Sequence, residues 1–204
     1  MMAPQPSITA LQFVADAFKT LGVEFYIGGS IASAYHGEPR STIDVDLIAD
    51  LPASAASRLV HVLGEDFYAD ASMMIQAITS RTSFNLIHLP TMYKIDVFIP
   101  KHRPFDKSIR QRVVQAAAFE GDDRTYQIAS VEDTVLSKLE WYKAGGERSE
   151  RQWRDVVGVM QVQLHLLDQT YLDKWAAELG VSDLLQRAWT EARTLMDESG
   201  EQPV

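Results

Sequence analysis

The chain has 204 residues, of which 46% are hydrophobic, and a net charge of −9. That is enough for one large domain or two small ones with a proper core. It has no cysteine, which excludes disulfides, thiolate metal sites and cysteine nucleophiles. The acidic balance argues against an extended duplex-binding surface, which is usually basic, but leaves room for a local contact with one RNA end. No apolar run approaches the length of a membrane span, and the opening Met-Met-Ala-Pro-Gln-Pro lacks a basic segment followed by an apolar one. The expected location is the cytoplasm, with no membrane partner.

Ser7 to Leu21 reads as a helix, with Leu11, Val14, Phe18 and Leu21 on one face and Gly22 at its end. Val23 to Ile27 is a compact, mostly apolar strand that stops at Gly28-Gly29-Ser30. Two glycines let the backbone bend sharply and come close to a ligand. Ser30 caps a short helix, Ile31 to Tyr35, which Gly37 stops. A helix N-terminus presents N–H groups, so the bend is a seat for phosphate. The alternative is an ordinary turn and cap. Next comes Asp44-Val45-Asp46-Leu47-Ile48. Alternation along a strand puts Asp44 and Asp46 on one face and Val45 and Leu47 in a core. Two carboxylates side by side repel, so a cation belongs between them, and oxygen-only ligands suit Mg²⁺. A phosphate seat beside a Mg²⁺ seat implies a nucleoside triphosphate.

Gly28-Gly29-Ser30, a spacer and then Asp44-x-Asp46 on a strand resemble the signature of the nucleotidyltransferase superfamily, the fold of DNA polymerase β and kanamycin nucleotidyltransferase. The run Pro39-Arg40-Ser41-Thr42-Ile43-Asp44-Val45-Asp46-Leu47 is similar to a bacterial branch that includes AbiEii-type toxins of toxin–antitoxin pairs. Arg40 lies where it can reach a phosphate oxygen and Thr42 where it can orient an aspartate; a purely structural role is the alternative for each. The resemblance also implies a third carboxylate on a later strand.

Leu51 to Leu63 reads as a helix with Pro52 in its first turn, an apolar stripe of Ala56, Leu59, Val60 and Leu63, and Gly64 as its stop. Ala71 to Ile78 fits either a short helix or an irregular strand. Thr82 to Leu89 and Met92 to Ile99 read as a hairpin turning at Pro90-Thr91. Within it Lys94 and Asp96 share one face. A carboxylate on the apolar run Ile95-Asp96-Val97-Phe98-Ile99 is costly without a partner. Laid beside Asp44-Val45-Asp46, Asp96 supplies the third carboxylate. Lys101 to Arg112 is locally basic and reads either as a docking site for RNA or an acidic partner, or as a solvated loop and helix face. Val113 to Phe119 and Thr125 to Ile128 complete the strands.

Beyond Ile128 only helical patterns occur. Ser130-Val131-Glu132-Asp133 and Ser149-Glu150-Arg151-Gln152 are capping boxes, and Asp168 and Ser182 cap two further helices. The AbiEii-like branch carries a lysine in the first of these helices and an Arg/Lys-Asp pair in the second. Lys138 and Arg154-Asp155 stand in those places, which implies that Lys138 contacts nucleotide phosphate and Asp155 completes the pocket. An ion pair between neighbouring helices is the other reading. His36 reads as structural.

The sequence thus predicts an α+β nucleotidyltransferase fold: a small mixed sheet flanked by helices over residues 1–129, a helical subdomain over 130–197, and a disordered tail over 198–204. The expected chemistry is two-metal transfer of a nucleotidyl group from an NTP to an acceptor hydroxyl, with Asp44, Asp46 and Asp96 holding two Mg²⁺ ions, or Mn²⁺ in their place. Asp96 doubles as general base. By analogy, the acceptor is RNA or a tRNA 3′ end and the chain a toxin neutralised by an antitoxin protein. A small-molecule acceptor, as in antibiotic-modifying relatives, is the alternative, and a non-catalytic nucleotide-binding regulator is a third reading.

Overall fold

The computed structural model describes residues 6–38, 42 and 44–199. It is a mixed α+β structure, as the sequence predicts. The chain opens with α1 (Pro6–Leu21), whose proline sits at the first helical position, where its missing N–H costs nothing. Gly22 takes φ +67° and the Val23 N–H bonds the Phe18 carbonyl at 2.9 Å, a Schellman ending. Then come β1 (Phe25–Ile27), α2 (Gly29–His36) and β2 (Asp44–Ala49). The helix expected from Leu51 begins later: one 3₁₀ turn at Ala53–Ala55 leads into α3 (Ala56–Leu63).

Next is a strand of two residues, β3 (Phe67–Tyr68), for which the sequence pattern has no counterpart. The ambiguous stretch is a helix, α4 (Ala71–Ser80). The Asp70 side chain caps it by accepting from the Met73 N–H at 2.9 Å, and Met74, Ala77 and Ile78 form its buried stripe. The hairpin is present as β4 (Ser83–His88) and β5 (Tyr93–Phe98). The basic run contains α5 (Pro104–Arg112), capped when the Asp106 carboxylate accepts from the Arg103 N–H at 2.9 Å. Two short strands, β6 (Val114–Ala116) and β7 (Tyr126–Ile128), pair antiparallel.

Four helices end the described chain: α6 (Val131–Ala144), α7 (Glu150–Gln163), α8 (Gln169–Leu179) and α9 (Ser182–Ser199). Ser130, Ser149 and Asp168 each accept from an N–H three residues on. Of the tail expected from residue 198, positions 200–204 lie outside the described residues. None of the described helices is long and apolar enough to cross a membrane.

The seven strands among the described residues join one sheet in the order β3-β4-β5-β2-β1-β7-β6. Two pairings in it position the acidic residues. β1 runs antiparallel to β2, with Ile27 opposite Leu47. β2 runs parallel to β5, with Asp44 opposite Lys94 and Asp46 opposite Asp96. Val45, Leu47, Ile95 and Val97 point to the other face and are fully buried. That buried face is what fixes the register, since a slip of one residue would put every carboxylate into the core.

Contacts divide the chain into two units. One holds the sheet, α1, α3, α4, α5 and the first turn of α2. The other holds α6 to α9, the rest of α2 and the two residues that follow it, with Leu136, Leu139, Val156, Met160, Leu172 and Ala188 in its core. Leu86 of β4 is fully buried, whereas Val62 is 41% exposed. Leu86→Ala is expected to cost about 2–5 kcal/mol in urea unfolding and Val62→Ala less than about 0.5. Equal costs would contradict this assignment of the core.

Candidate active site

The bend after β1 and the start of β2 meet because one side chain is missing. Gly29 opens α2 at φ +54°, and a Cβ built on it would fall 1.7 Å from Asp46 Oδ2. Only glycine accepts both that backbone and that neighbour. The Asp46 carboxylate therefore lies against the first turn of α2, where the Ser30 N–H points at Oδ2 from 3.4 Å. A carboxylate at a helix N-terminus is favoured by the dipole and the N–H groups there. Gly28 serves differently. Its N–H donates to the Asp46 carbonyl at 3.0 Å, which extends the β1–β2 pairing. That donor is committed to backbone, so Gly28 shapes the bend, and the donors facing the carboxylate side belong to the start of α2.

Asp44 and Asp46 share the half-buried face of β2, as their alternation with Val45 and Leu47 requires. The Thr42 hydroxyl donates to Asp44 Oδ1 at 3.2 Å and lies 3.0 Å from the Asp44 carbonyl. Asp96 stands across from Asp46 on β5 with its side chain only 14% exposed. Among the described residues, Lys94 brings a cation to this surface. Its Nζ lies 2.6 Å from Asp96 Oδ2 and 3.8 Å from Asp44 Oδ2. One ammonium thus spans the carboxylates of two strands. Its pKa is held above the usual lysine range, first by the hydrogen bond to Asp96 and, against the pull of burial, by the charges of Asp96, Asp44 and Asp46. Tyr93 completes the edge. Its hydroxyl faces the Thr42 carbonyl at 3.5 Å, and burial, Asp44 and Asp46 together push its pKa up to about 12. The phenol stays neutral throughout the working range.

The structure therefore brings Gly28, Gly29, Ser30, Thr42, Asp44, Asp46 and Asp96 to one surface of the sheet-bearing unit. Arg40, with Pro39, Ser41 and Ile43, lies outside the described residues. Lys138 and Asp155 belong to the helical unit and pair with each other, Nζ to Oδ2 at 2.8 Å, with side chains 11% and 8% exposed. His36 is buried in the same unit; its Nε2 lies 2.7 Å from the Ala129 carbonyl, its own carbonyl accepts from Gln163, and burial lowers its pKa. Several side chains of the basic run are engaged within the fold: Arg103 pairs with Asp106, Arg110 with Glu24 and Asp50, and His102 Nε2 lies 3.0 Å from Asp50 Oδ1. Lys94 and Tyr93 are the neighbours that sequence reasoning missed. Period-two spacing already put Lys94 on the face of Asp96, but a strand pattern carries no sign of which carboxylate a flexible ammonium will choose.

Among the described residues, no three carboxylate or imidazole side chains converge as a ready-made metal cage. The reason is visible: Asp96 turns to Lys94, Asp46 to the start of α2 and Asp44 to Thr42. The donors still suit a hard cation. Mg²⁺ is usually held by one or two carboxylates together with substrate phosphates rather than by an all-protein cage. Asp46 and Asp96, opposed across two strands, with Asp44 alongside, offer that kind of partial site.

Two solved structures resemble the chain over nearly its whole length. The antigenic nucleotidyltransferase-like protein from Paracoccidioides brasiliensis matches with a TM-score of 0.52 and 18% identity, over 91% of this chain and 93% of that one. The chain has the nucleotidyltransferase-like fold. The antibiotic-resistance factor ANT(2'')-Ia aligns over 94% of this chain and 97% of its own, with a TM-score of 0.48 and 10% identity. No protein-family model matches the sequence, and no curated protein does.

Gly29 provides the test of the site's construction. Gly22, at φ +67°, has nothing within 4 Å of a built Cβ. Gly22→Ala should therefore cost only backbone strain, about 1 kcal/mol. Gly29→Ala adds a collision with Asp46 and should cost clearly more in urea unfolding. Equal losses would show that the close approach is not a constraint.

Proposed function

We propose that this chain is a nucleotidyltransferase that moves a nucleoside monophosphate from an NTP to an acceptor hydroxyl. The observation that carries the proposal is the meeting of the Gly29–Ser30 turn with Asp46, with Asp96 directly across from Asp46. An anion seat at a helix start beside opposed carboxylates is the pair of features that a metal-bound triphosphate needs.

In this reading the start of α2 and the Ser30 hydroxyl bind the outer phosphates. Asp44 and Asp46 would hold the ion that accompanies them, and Asp96 would join them for a second. Mg²⁺, or Mn²⁺, would supply charge neutralisation at the phosphates and a lower pKa for the acceptor hydroxyl. Thr42 fixes the Asp44 carboxylate through its hydroxyl bond. Asp96 accepts the proton of the attacking hydroxyl. The hydroxyl oxygen bonds to the α-phosphorus, the bond from that phosphorus to the bridging oxygen breaks, and pyrophosphate leaves. The fold shared with a nucleotidyltransferase-like protein is consistent with this chemistry. Lys138 and Asp155 are proposed to add contacts to the nucleotide, as the AbiEii-like pattern implies.

Two acceptor classes are to be tested against each other. The AbiEii-like run implies an RNA end, and with it a toxin restrained by an antitoxin. The net charge of −9 favours a small hydroxylated molecule, because RNA is usually held on a broad basic surface. A regulator that binds nucleotide without chemistry is the third outcome. The three carboxylates do not argue strongly against it, since the Lys94 ammonium lies beside two of them.

Incubation with α-labelled NTPs, Mg²⁺ and, in separate arms, total RNA, protein and small hydroxylated acceptors decides among them. Label in the RNA or small-molecule arm names the acceptor. Asp46→Asn and Asp96→Asn should each reduce labelling by about a hundredfold or more while far-ultraviolet circular dichroism is unchanged. No label in any arm, or label indifferent to both substitutions, would contradict the proposal.

A further inference from the structure

The proposed transfer by the three aspartates assigns Lys94 no step, yet its ammonium lies between Asp44 and Asp96. It faces Asp44 in register on the neighbouring strand and precedes Asp96 by two residues on the same strand face. Its ammonium lies 2.6 Å from Asp96 Oδ2 and 3.8 Å from Asp44 Oδ2, and the side chain is 40% exposed. We infer that Lys94 is a tethered counter-ion that competes with divalent metal for the Asp44 and Asp96 carboxylates, so that metal binds weakly until a triphosphate arrives with it. This rests on the reading of Asp44, Asp46 and Asp96 as metal ligands.

A carboxylate oxygen that accepts a charge-assisted hydrogen bond from an ammonium already has a close positive partner. A divalent ion at the same oxygen must displace the ammonium or stand against its positive charge. Lysine suits such a role, because its charge is compact and sits on a flexible four-carbon stem. Part of the side chain already faces solvent, so it can leave without disturbing the buried face of β5. A metal ion alone gives the displaced ammonium nothing in return. A triphosphate does, since its oxygens offer the ammonium a new anionic partner. The protein then has two balanced states: carboxylates with lysine, or carboxylates with metal and lysine with phosphate. Arginine at position 94 would keep the charge and the competition; methionine would keep most of the stem and remove both.

The test is Mn²⁺ binding in the absence of nucleotide, monitored by electron paramagnetic resonance on the full chain. Lys94→Met should bind Mn²⁺ about tenfold or more tightly than the unsubstituted protein, and Lys94→Arg should bind it about as weakly. Without metal, Lys94→Met should melt lower, since its carboxylates lose their counter-ion, and Mn²⁺ should restore its midpoint. Lys94→Gln serves in place of Lys94→Met if the latter does not fold. Equal or weaker Mn²⁺ affinity in Lys94→Met or Lys94→Gln would overturn the inference while leaving the metal site standing. Binding unchanged when Asp46→Asn is added to Lys94→Met, or no Mn²⁺ binding in any of these proteins, would overturn the metal site itself and the inference with it.

Discussion

A carboxylate can rest against a helix start only if the backbone there presents no side chain, and Gly29 meets that condition beside Asp46. The rest of the sheet-bearing unit holds those two positions together. β1 delivers the chain to the bend, and the Gly28 N–H locks the bend to the Asp46 carbonyl. β2 delivers Asp46, and the fully buried side chains of Val45 and Leu47 keep it from slipping. β5 then sets Asp96 opposite Asp46, because Ile95 and Val97 are buried on the same side as Val45 and Leu47. Hydrophobic burial on one face thus determines the electrostatics of the other.

The charge pattern on that polar face is nearly closed on itself. Thr42 holds Asp44, the start of α2 holds Asp46, and Lys94 holds Asp96. Each group has a partner from the chain, so three acidic residues lie within a few strand positions at a tolerable cost. A site arranged in this way does not need a ligand to fold. In the proposed reading, a metal-bound triphosphate is the ligand that would offer both signs of charge a new partner.

Much of this was legible in the residues. The α+β class is visible as apolar alternation giving way to helical periodicity after Ile128. The shared face of Asp44 and Asp46 comes from strand geometry alone, and the capping residues Ser130, Ser149 and Asp168 stand where their helices begin. Other features had weaker signals. β3 is two residues long, too short for any period to show. α4 reads ambiguously because its β-branched and apolar residues suit a strand as well; the decisive group is the single cap at Asp70. Lys94 lies on the right face by spacing, but its choice of partner depends on a rotamer that no pattern encodes. Gly28 and Gly29 look equivalent in sequence and are not, since one commits its N–H to the sheet and the other makes room for a carboxylate.

The claim at the centre is that the Gly29–Ser30 turn and the facing carboxylates form one binding surface for a metal-bound triphosphate. Backbone amide magnetic resonance tests it most directly, with Mg²⁺ and a non-hydrolysable NTP analogue added together. The account predicts saturable shifts at Gly29, Ser30, Asp46 and Asp96 that require both components. Shifts confined to other parts of the chain, or no shifts at the bend at saturating analogue, would contradict it.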